Sequence, residues 1–539
     1  MKKVFSLLMS LMLIFSLPIK AQKNVLLIIA DDLGIDYLQS YGLGVDPAPT
    51  PVIDSLVANG LQFANAWTNP ICSPSRANIL TGKYAFRHGV GTAITSAANT
   101  QLDTAEYTIP EAVKAQSNVS TALIGKWHLG HFEQALRMNP NACGFDHYAG
   151  NLGGLVDNYF FWTKTVNGTN QNVNNEYATT VAVNDAINWI DAQSSNWFLT
   201  LSFNAPHDPY HKPPNNLHSF DGLSNNIFDI AANPIPYFKA MIEAMDTEIG
   251  RLLSHLASIN ELAQTEIIFI GDNGTQTDVV QLPFIKTRAK GTVYNGGVQV
   301  PLIVSGPSVA QPGQVITQLV NSTDIYHTVL EMFGGNIDDL PDDAAIDSRS
   351  FLPLINGTGD AQDQRSWIFG DLFKLTPGSP KDGKAITDGM FKLIQFDNGN
   401  REYYNIQLDF FEETPLNIND LNIIEQEHYD FLCNELSELL EQEYCEQTTG
   451  WLDNKLKSVV LYPNPSLDKL YIQLGDLDRA YDINDCILTI INTKGQSIVE
   501  SKMNSLNHPI EIGNLPNGSY RIVIKKGDAI IGTAAFVKS

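Results

Sequence analysis

The run NVLLIIA, Asn24–Ala30, places six apolar residues after an asparagine and ends directly on two aspartates, Asp31 and Asp32. A short, unbroken apolar stretch of this kind reads as a strand buried on both faces, as in a parallel sheet. Similar segments recur at TALIG (121–125), WFLTLSF (197–203), EIIFIG (266–271) and VPLIVSG (300–306). Helical patterns lie between them. One begins TPVIDSLVANG, with Thr50 as expected N-cap, Pro51 in the first turn and Gly60 as stop; others cover residues 237–259 and 324–335. Strands alternating with helices predict an α/β fold built on a mainly parallel sheet.

The 539 residues suffice for two to four domains, and 43% hydrophobic content supplies a large core. Residues 1–21 carry Lys2 and Lys3 ahead of an apolar run at 4–19, the layout of a secretory signal peptide with cleavage near Ala21. The run is short for a membrane span and no later stretch is apolar enough for one, so the mature chain is expected to be exported and soluble. Cys72, Cys143, Cys433, Cys445 and Cys486 form neither a disulfide framework nor a zinc pattern; Cys433 and Cys445 are candidates for a pair. With 59 acidic against 34 basic residues the net charge is −25, which disfavours nucleic acid and anionic membrane as partners. An anionic substrate would therefore need a local cluster of cations.

Beyond residues 22–380, read as the catalytic α/β domain, the rhythm changes. GMFKLIQFDNGNREYYNI (389–406) and an acidic helical segment at 422–442 predict an α+β subdomain over 381–450. Short alternating segments (KLYIQL, CILTIIN, GSYRIVIKK, GTAAFVK) then predict a terminal β-sandwich over 455–539.

The chemistry-bearing residues follow expected strands, where ligand sites gather in open α/β sheets. Adjacent Asp31 and Asp32 repel unless a cation sits between them; the alternative is that one caps the next helix. Asp272 and Asn273, in GDNG after EIIFIG, also make an ordinary tight-turn sequence. Taken together the two clusters offer three carboxylates and an amide oxygen, a donor set suited to calcium or magnesium more than to zinc. A third segment, ICSPSRANILTG (71–82), holds Cys72, Pro74 and Arg76 in a C-x-P-x-R pattern. A lone cysteine there is otherwise a buried hydrophobe.

Residues 72–76 resemble the signature of the sulfatase family, in which a maturation enzyme oxidises the cysteine to formylglycine. NVLLIIADDLG, GKWHLG, APHDPY, IGDNG and KGTVYNGGVQVPLIVSGP resemble further landmarks of that family, in its order, across roughly residues 24–420. The resemblance implies an alkaline-phosphatase-like fold, a mainly parallel sheet sandwiched by helices, and hydrolysis of sulfate esters of a carbohydrate or aryl alcohol. It further implies calcium held by Asp31, Asp32, Asp272 and Asn273, with the modified Cys72 completing the site. Arg76 would hold the formylglycine and neutralise sulfate, Lys126 and His128 would contact the nucleophile, and His207 and Lys290 would face the leaving oxygen. Lys286 competes with Lys290 for that role. His128 also reads as a core histidine, and His207 and His211 as merely solvated loop residues. The chain departs from the family pattern at Asn295, where glutamate is common, and at Gln299, where arginine is common.

On this reading the hydrated aldehyde supplies the attacking hydroxyl, His207 or Lys290 protonates the departing alcohol, and His128 deprotonates the second hydroxyl so that sulfate is expelled. Two alternatives remain: a phosphonate monoester or phosphodiester hydrolase of the same superfamily, and a non-catalytic glycan-binding protein. EYYNIQLDFFEETPLNI (402–418) resembles the family's C-terminal subdomain. VVLYPNPSLDKLYI and the last 22 residues, GSYRIVIKKGDAIIGTAAFVKS, resemble the sorting domain of the type IX secretion system, with a carbohydrate-binding or adhesive module as the alternative. The expected partners are thus a sulfated substrate, the maturation enzyme and the type IX machinery, with no nucleic acid and no membrane span after signal removal.

Overall fold

The computed structural model describes residues 23–95, 101–130, 136–359, 365–373 and 382–445, and beyond them 459–462, 468–474, 486–492, 496–502, 509–526 and 529–538. Residues 1–21, expected to be a signal peptide, lie outside the described residues. Strand β1 (Asn24–Ala30) shows how its sequence is used. Successive side chains of a strand point to opposite faces. Val25, Leu27 and Ile29 accordingly enter one core, while Leu26, Ile28 and Ala30 enter a second. Both faces of the sheet are covered, so an unbroken apolar run is what the position demands.

The sheet has ten strands: β1, β2 (Gly60–Trp67), β3 (Val119–Lys126), β4 (His147–Asn151), β5 (Phe161–Val166), β6 (Thr169–Asn174), β7 (Asn196–Ser202), β8 (Thr265–Gly271), β9 (Leu302–Ser305) and β10 (Gln314–Asn321). Their order is β10-β2-β9-β8-β1-β7-β3-β4-β5-β6. The central strands β8, β1, β7, β3 and β4 run parallel, whereas β9 is antiparallel to both neighbours and β5 and β6 form an antiparallel edge hairpin. This is an α/β fold with a mainly parallel sheet, as expected. Its longer helices are α1 (Pro51–Ala58), α2 (Cys72–Thr81), α3 (Ile109–Gln116), α4 (Ala178–Asp191), α5 (Ile235–Ser258) and α6 (Asp324–Met332). Residues of α2, α3 and α6 pack into the first core, and residues of α1, α4 and α5 into the second.

Helix α1 starts at Pro51 as the sequence predicts, but Thr50 makes no side-chain cap. Instead the N–H groups of Val52 and Ile53 donate to the Asp246 carboxylate of α5 at 3.0 and 2.8 Å. Gly60 already belongs to β2, where a Cβ would lie 2.2 Å from the Val304 carbonyl oxygen. Burial pushes the Asp246 carboxyl up to about 7. The folded chain therefore binds this proton more tightly than the unfolded one does, and the stability it confers is lost as pH rises from about 4 through about 7. Denaturant unfolding at several pH values is expected to show this decline, on the order of a few kcal/mol at most, flattened in Asp246→Asn.

A second, antiparallel sheet follows: β11 (Ile368–Leu372), β12 (Gly383–Thr387), β13 (Phe391–Phe396) and β14 (Arg401–Asn405), in sequential order. The chain divides into two compact units between Leu416 and Asn417. The second unit contains α7 (Ile423–Leu440), started by a capping box of Asn422 and Glu425, and a Cys433–Cys445 disulfide. It also contains a three-stranded and a four-stranded sheet, which share a core including Leu470, Leu488, Ile522 and Phe536. Among the described residues, no helix is long and apolar enough to cross a membrane.

Candidate active site

The carboxyl ends of β8, β1, β7 and β3, neighbours in the sheet, each carry polar residues. β1 delivers Asp31 and Asp32, β8 delivers Asp272 and Asn273, β3 ends on Lys126 with His128 just beyond, and the loop after β7 carries His207. Cys72 and Arg76 come from the first turns of α2. The residues singled out in the sequence therefore meet at one edge of the sheet.

Ion pairs hold them there. Lys126 Nζ lies 2.5 Å from Asp31 Oδ2, and Lys290 Nζ lies 2.5 Å from Asp32 Oδ1. Arg76 grips Asp272 through Nε at 2.9 Å and a terminal nitrogen at 2.8 Å, and its other terminal nitrogen donates to the Ser202 hydroxyl at 2.5 Å and the Lys126 carbonyl at 3.1 Å. The Asp32 N–H donates to Asp272 at 3.1 Å, and the Asn273 amide donates to Asp32 at 2.8 Å, which knits β1 to β8. Three carboxylates thus face three cations, so this buried cluster is close to neutral. Burial raises the Asp31 carboxyl to about 6 against the pull of Lys126. Burial also presses upward on Asp32, but Lys290 and His207 outweigh it and hold Asp32 below the usual carboxylate range. Lys286, the competing lysine, is exposed, and Lys290 is the one in the cluster.

Cys72 is buried, with Sγ 3.1 Å from His128 Nδ1. The other ring nitrogen, Nε2, faces the Ile94 carbonyl at 3.1 Å. A carbonyl only accepts, so Nε2 carries the hydrogen and Nδ1 is left as a base toward residue 72. Burial, followed by Lys126 and Arg76, holds the imidazole well below its ordinary value, and burial raises the Cys72 thiol. His128 adopts φ +55°, sparsely populated for a residue with a side chain. Ser73 fixes it there, donating to the His128 carbonyl at 2.8 Å and accepting from the Ile94 N–H at 3.0 Å. Gly154 makes room, because a Cβ at that position would fall 2.4 Å from His128 Nε2. His128 is thus held against Cys72, not absorbed into the apolar core. His207 Nε2 lies 3.6 Å from Asp32 Oδ2. His211, by contrast, lies outside the cluster: it is part-buried against Tyr159, Phe160 and Tyr177, and burial lowers it to about 4.

A cavity of about 470 Å³ opens onto Cys72, His128, His207 and Lys290. The donor set also suits a hard cation. Asp31 Oδ1 and Asn273 Oδ1 are buried oxygens without a hydrogen-bond partner, a costly state that a cation would relieve. Asp31, Cys72 and Asp272 offer ligand atoms within 4.8 Å of one another, as do Asp31, Asp32 and His207.

Residues 23–335 match the family model described as Sulfatase, more than half of the chain. The chain belongs to the sulfatase family. Further along, residues 288–446 match the C-terminal region of N-sulphoglucosamine sulphohydrolase, and residues 460–538 match a secretion system C-terminal sorting domain. Mouse arylsulfatase J is 29% identical over 337 residues, covering 59% of this chain and 54% of the relative. Human N-acetylgalactosamine-6-sulfatase is 29% identical over 367 residues, covering 62% and 65%. The match thus spans between half and two thirds of the length of these relatives. Among solved structures, Ps i-CgsB in complex with k-i-k-neocarrahexaose superposes with a TM-score of 0.65 at 24% identity, covering 80% of this chain and 95% of that one. BT4656 in complex with D-glucosamine-2-N,6-O-disulfate gives 0.62 at 20% identity, covering 78% and 98%. These likenesses show the alkaline-phosphatase-like fold.

The chain's departures from the family pattern at Asn295 and Gln299 are absorbed by local packing. The Asn295 N–H donates to Glu412 at 2.6 Å, Lys392 donates to the Asn295 side chain at 2.9 Å and pairs with Glu412 at 2.7 Å, and Gln299 donates to the Ala64 carbonyl at 2.6 Å. Sequence reasoning missed Ser73, Ser202 and Ile94. Ile94 acts only through backbone atoms, which leave no side-chain signal.

Proposed function

We propose that this chain hydrolyses sulfate esters of a carbohydrate or aryl alcohol, with Cys72 oxidised to formylglycine and calcium held by Asp31, Asp32, Asp272 and Asn273 beside residue 72. The observation that carries this reading is that Cys72, His128, His207 and Lys290 line one cavity, backed by the Arg76–Asp272, Lys126–Asp31 and Lys290–Asp32 ion pairs. When bound, the cation would add positive charge and favour ionisation of a hydroxyl at residue 72. Lys126 and Lys290 would draw the sulfuryl oxygens in and stabilise charge as the S–O bond to the alcohol breaks, with Arg76 holding Asp272 and residue 72 in register. His207 would donate a proton to the departing oxygen, and His128 Nδ1 would take one from the second hydroxyl at residue 72. Water is consumed, and the alcohol and sulfate are released.

The names of the relatives and the sulfated sugar bound to BT4656 support a sulfated carbohydrate. The sorting-domain match supports export by the type IX machinery; signal removal at residues 1–21 and a maturation enzyme acting on Cys72 belong to the same proposal. The domain plan proposed is a catalytic domain over 22–380, an α+β subdomain over 381–450 and a sorting domain over 455–539.

The test measures release from sulfated monosaccharides, a nitrophenyl sulfate and an aryl phosphodiester. Sulfate release is expected to dominate, and a strong preference for the phosphodiester would overturn the proposal. Calcium in about 100-fold excess over its Kd should add roughly 2.7 kcal/mol of stability, read as a raised Tm that is lost on chelation and in Asp272→Ala.

A further inference from the structure

His207 sits on a loop, so something must fix its ring for proton transfer. Its N–H donates to the Asn204 carbonyl at 3.0 Å, which closes a tight turn after β7. Nδ1 faces the Asp208 carbonyl at 2.8 Å and the Asp208 carboxylate at 3.1 Å, so it carries hydrogen, and Nε2, 3.6 Å from Asp32, is the nitrogen directed at the cluster, a proton donor there when the ring is an imidazolium. The turn is held from outside by Tyr159, a buried residue in the connection between β4 and β5. Its phenolic O–H is shared between the Asn204 carbonyl at 2.6 Å and the His207 carbonyl at 2.8 Å. The ring cannot swing away, because it packs 4.2 Å from the His211 ring and 6.0 Å from that of Tyr177. His211 is itself tied to the Pro209 carbonyl at 2.9 Å and the Tyr177 hydroxyl at 3.3 Å.

We infer that Tyr159 is a positioning residue: its hydroxyl clamps both ends of the turn at residues 204–207 and so sets His207 Nε2 at the distance a leaving-group oxygen requires. This rests on the sulfate ester reading. Tyr159 touches no reacting atom, and its effect passes through the backbone of the turn into the His207 ring. A clamp of this kind matters only when the departing oxygen needs a proton. A sugar alkoxide needs one, whereas a nitrophenolate does not.

The experiment compares Tyr159→Phe with wild type on a sulfated monosaccharide and on nitrophenyl sulfate. The phenylalanine ring keeps the packing, and Tm verifies the fold. The expected result is a kcat loss of roughly 10-fold on the sugar sulfate and under about 2-fold on nitrophenyl sulfate. His207→Ala should show the same bias more strongly, and the double variant should be no worse than His207→Ala alone. Equal losses on both substrates, no loss on either, or additive losses in the double variant would overturn the inference. Wild type with confirmed formylglycine but no turnover of either sulfate would instead reject the hydrolase reading on which it rests.

Discussion

Cys72→Ala is expected to give a folded protein that releases no sulfate above background. The substitution removes one buried sulfur whose contacts include His128 Nδ1 at 3.1 Å, a change costing the fold about 1 kcal/mol through the small cavity left behind. Turnover should fall by on the order of 10⁵-fold, the scale on which removing a covalent nucleophile acts. The ionisable groups that share the cavity with residue 72 are already engaged, Lys290 with Asp32, His128 with the Ile94 carbonyl and His207 with the Asp208 carbonyl. The unoxidised cysteine should fare little better. Burial raises its thiol, so it stays protonated and unreactive. Sulfate release together with Tm measures both halves of the expectation, and appreciable activity in Cys72→Ala refutes the mechanism.

The second large effect is expected at Arg76→Lys, which conserves charge but not shape. The guanidinium satisfies Asp272, Ser202 and the Lys126 carbonyl at once, through nitrogens pointing in fixed directions. An ammonium on a flexible stem cannot reproduce that fork. Asp272, fully buried, would be left with a poorer partner beside Asp31. Breaking a buried pair of this kind costs roughly 3–5 kcal/mol, and turnover should fall by about 10²–10³-fold as the cationic cradle loses its geometry. Denaturant unfolding reads the first quantity and kcat on a sulfated sugar the second. If stability is unchanged, the grip of Arg76 on Asp272 is not what holds the site together.

Much of this was legible before any coordinates. The β1 run ends on Asp31, and the equivalent run at β8 ends on Asp272, because buried parallel strands announce themselves by unbroken apolar residues and deliver their polar termini to one edge. Strands lacking that signature were not legible. β2, GLQFANAW, mixes small and polar residues, and the β5–β6 hairpin is largely exposed and rich in asparagine. Contacts between distant segments were equally hidden: nothing near Thr50 reveals that Asp246 caps its helix, and nothing near His207 reveals Tyr159. Lys286 and Lys290 lie four residues apart, and only the turn that buries one and exposes the other separates them.

The burial of Cys72 sets an order of events. Its side chain is 2% exposed at the start of α2, a depth that small molecules can reach through the cavity but the active site of another protein cannot. On the proposed reading, an enzyme that oxidises this residue would have to meet it before the chain folds around it. Maturation and folding are then competing clocks. Chains that fold first would keep the unoxidised cysteine, so slowing the collapse of this region should raise the active fraction of the protein recovered.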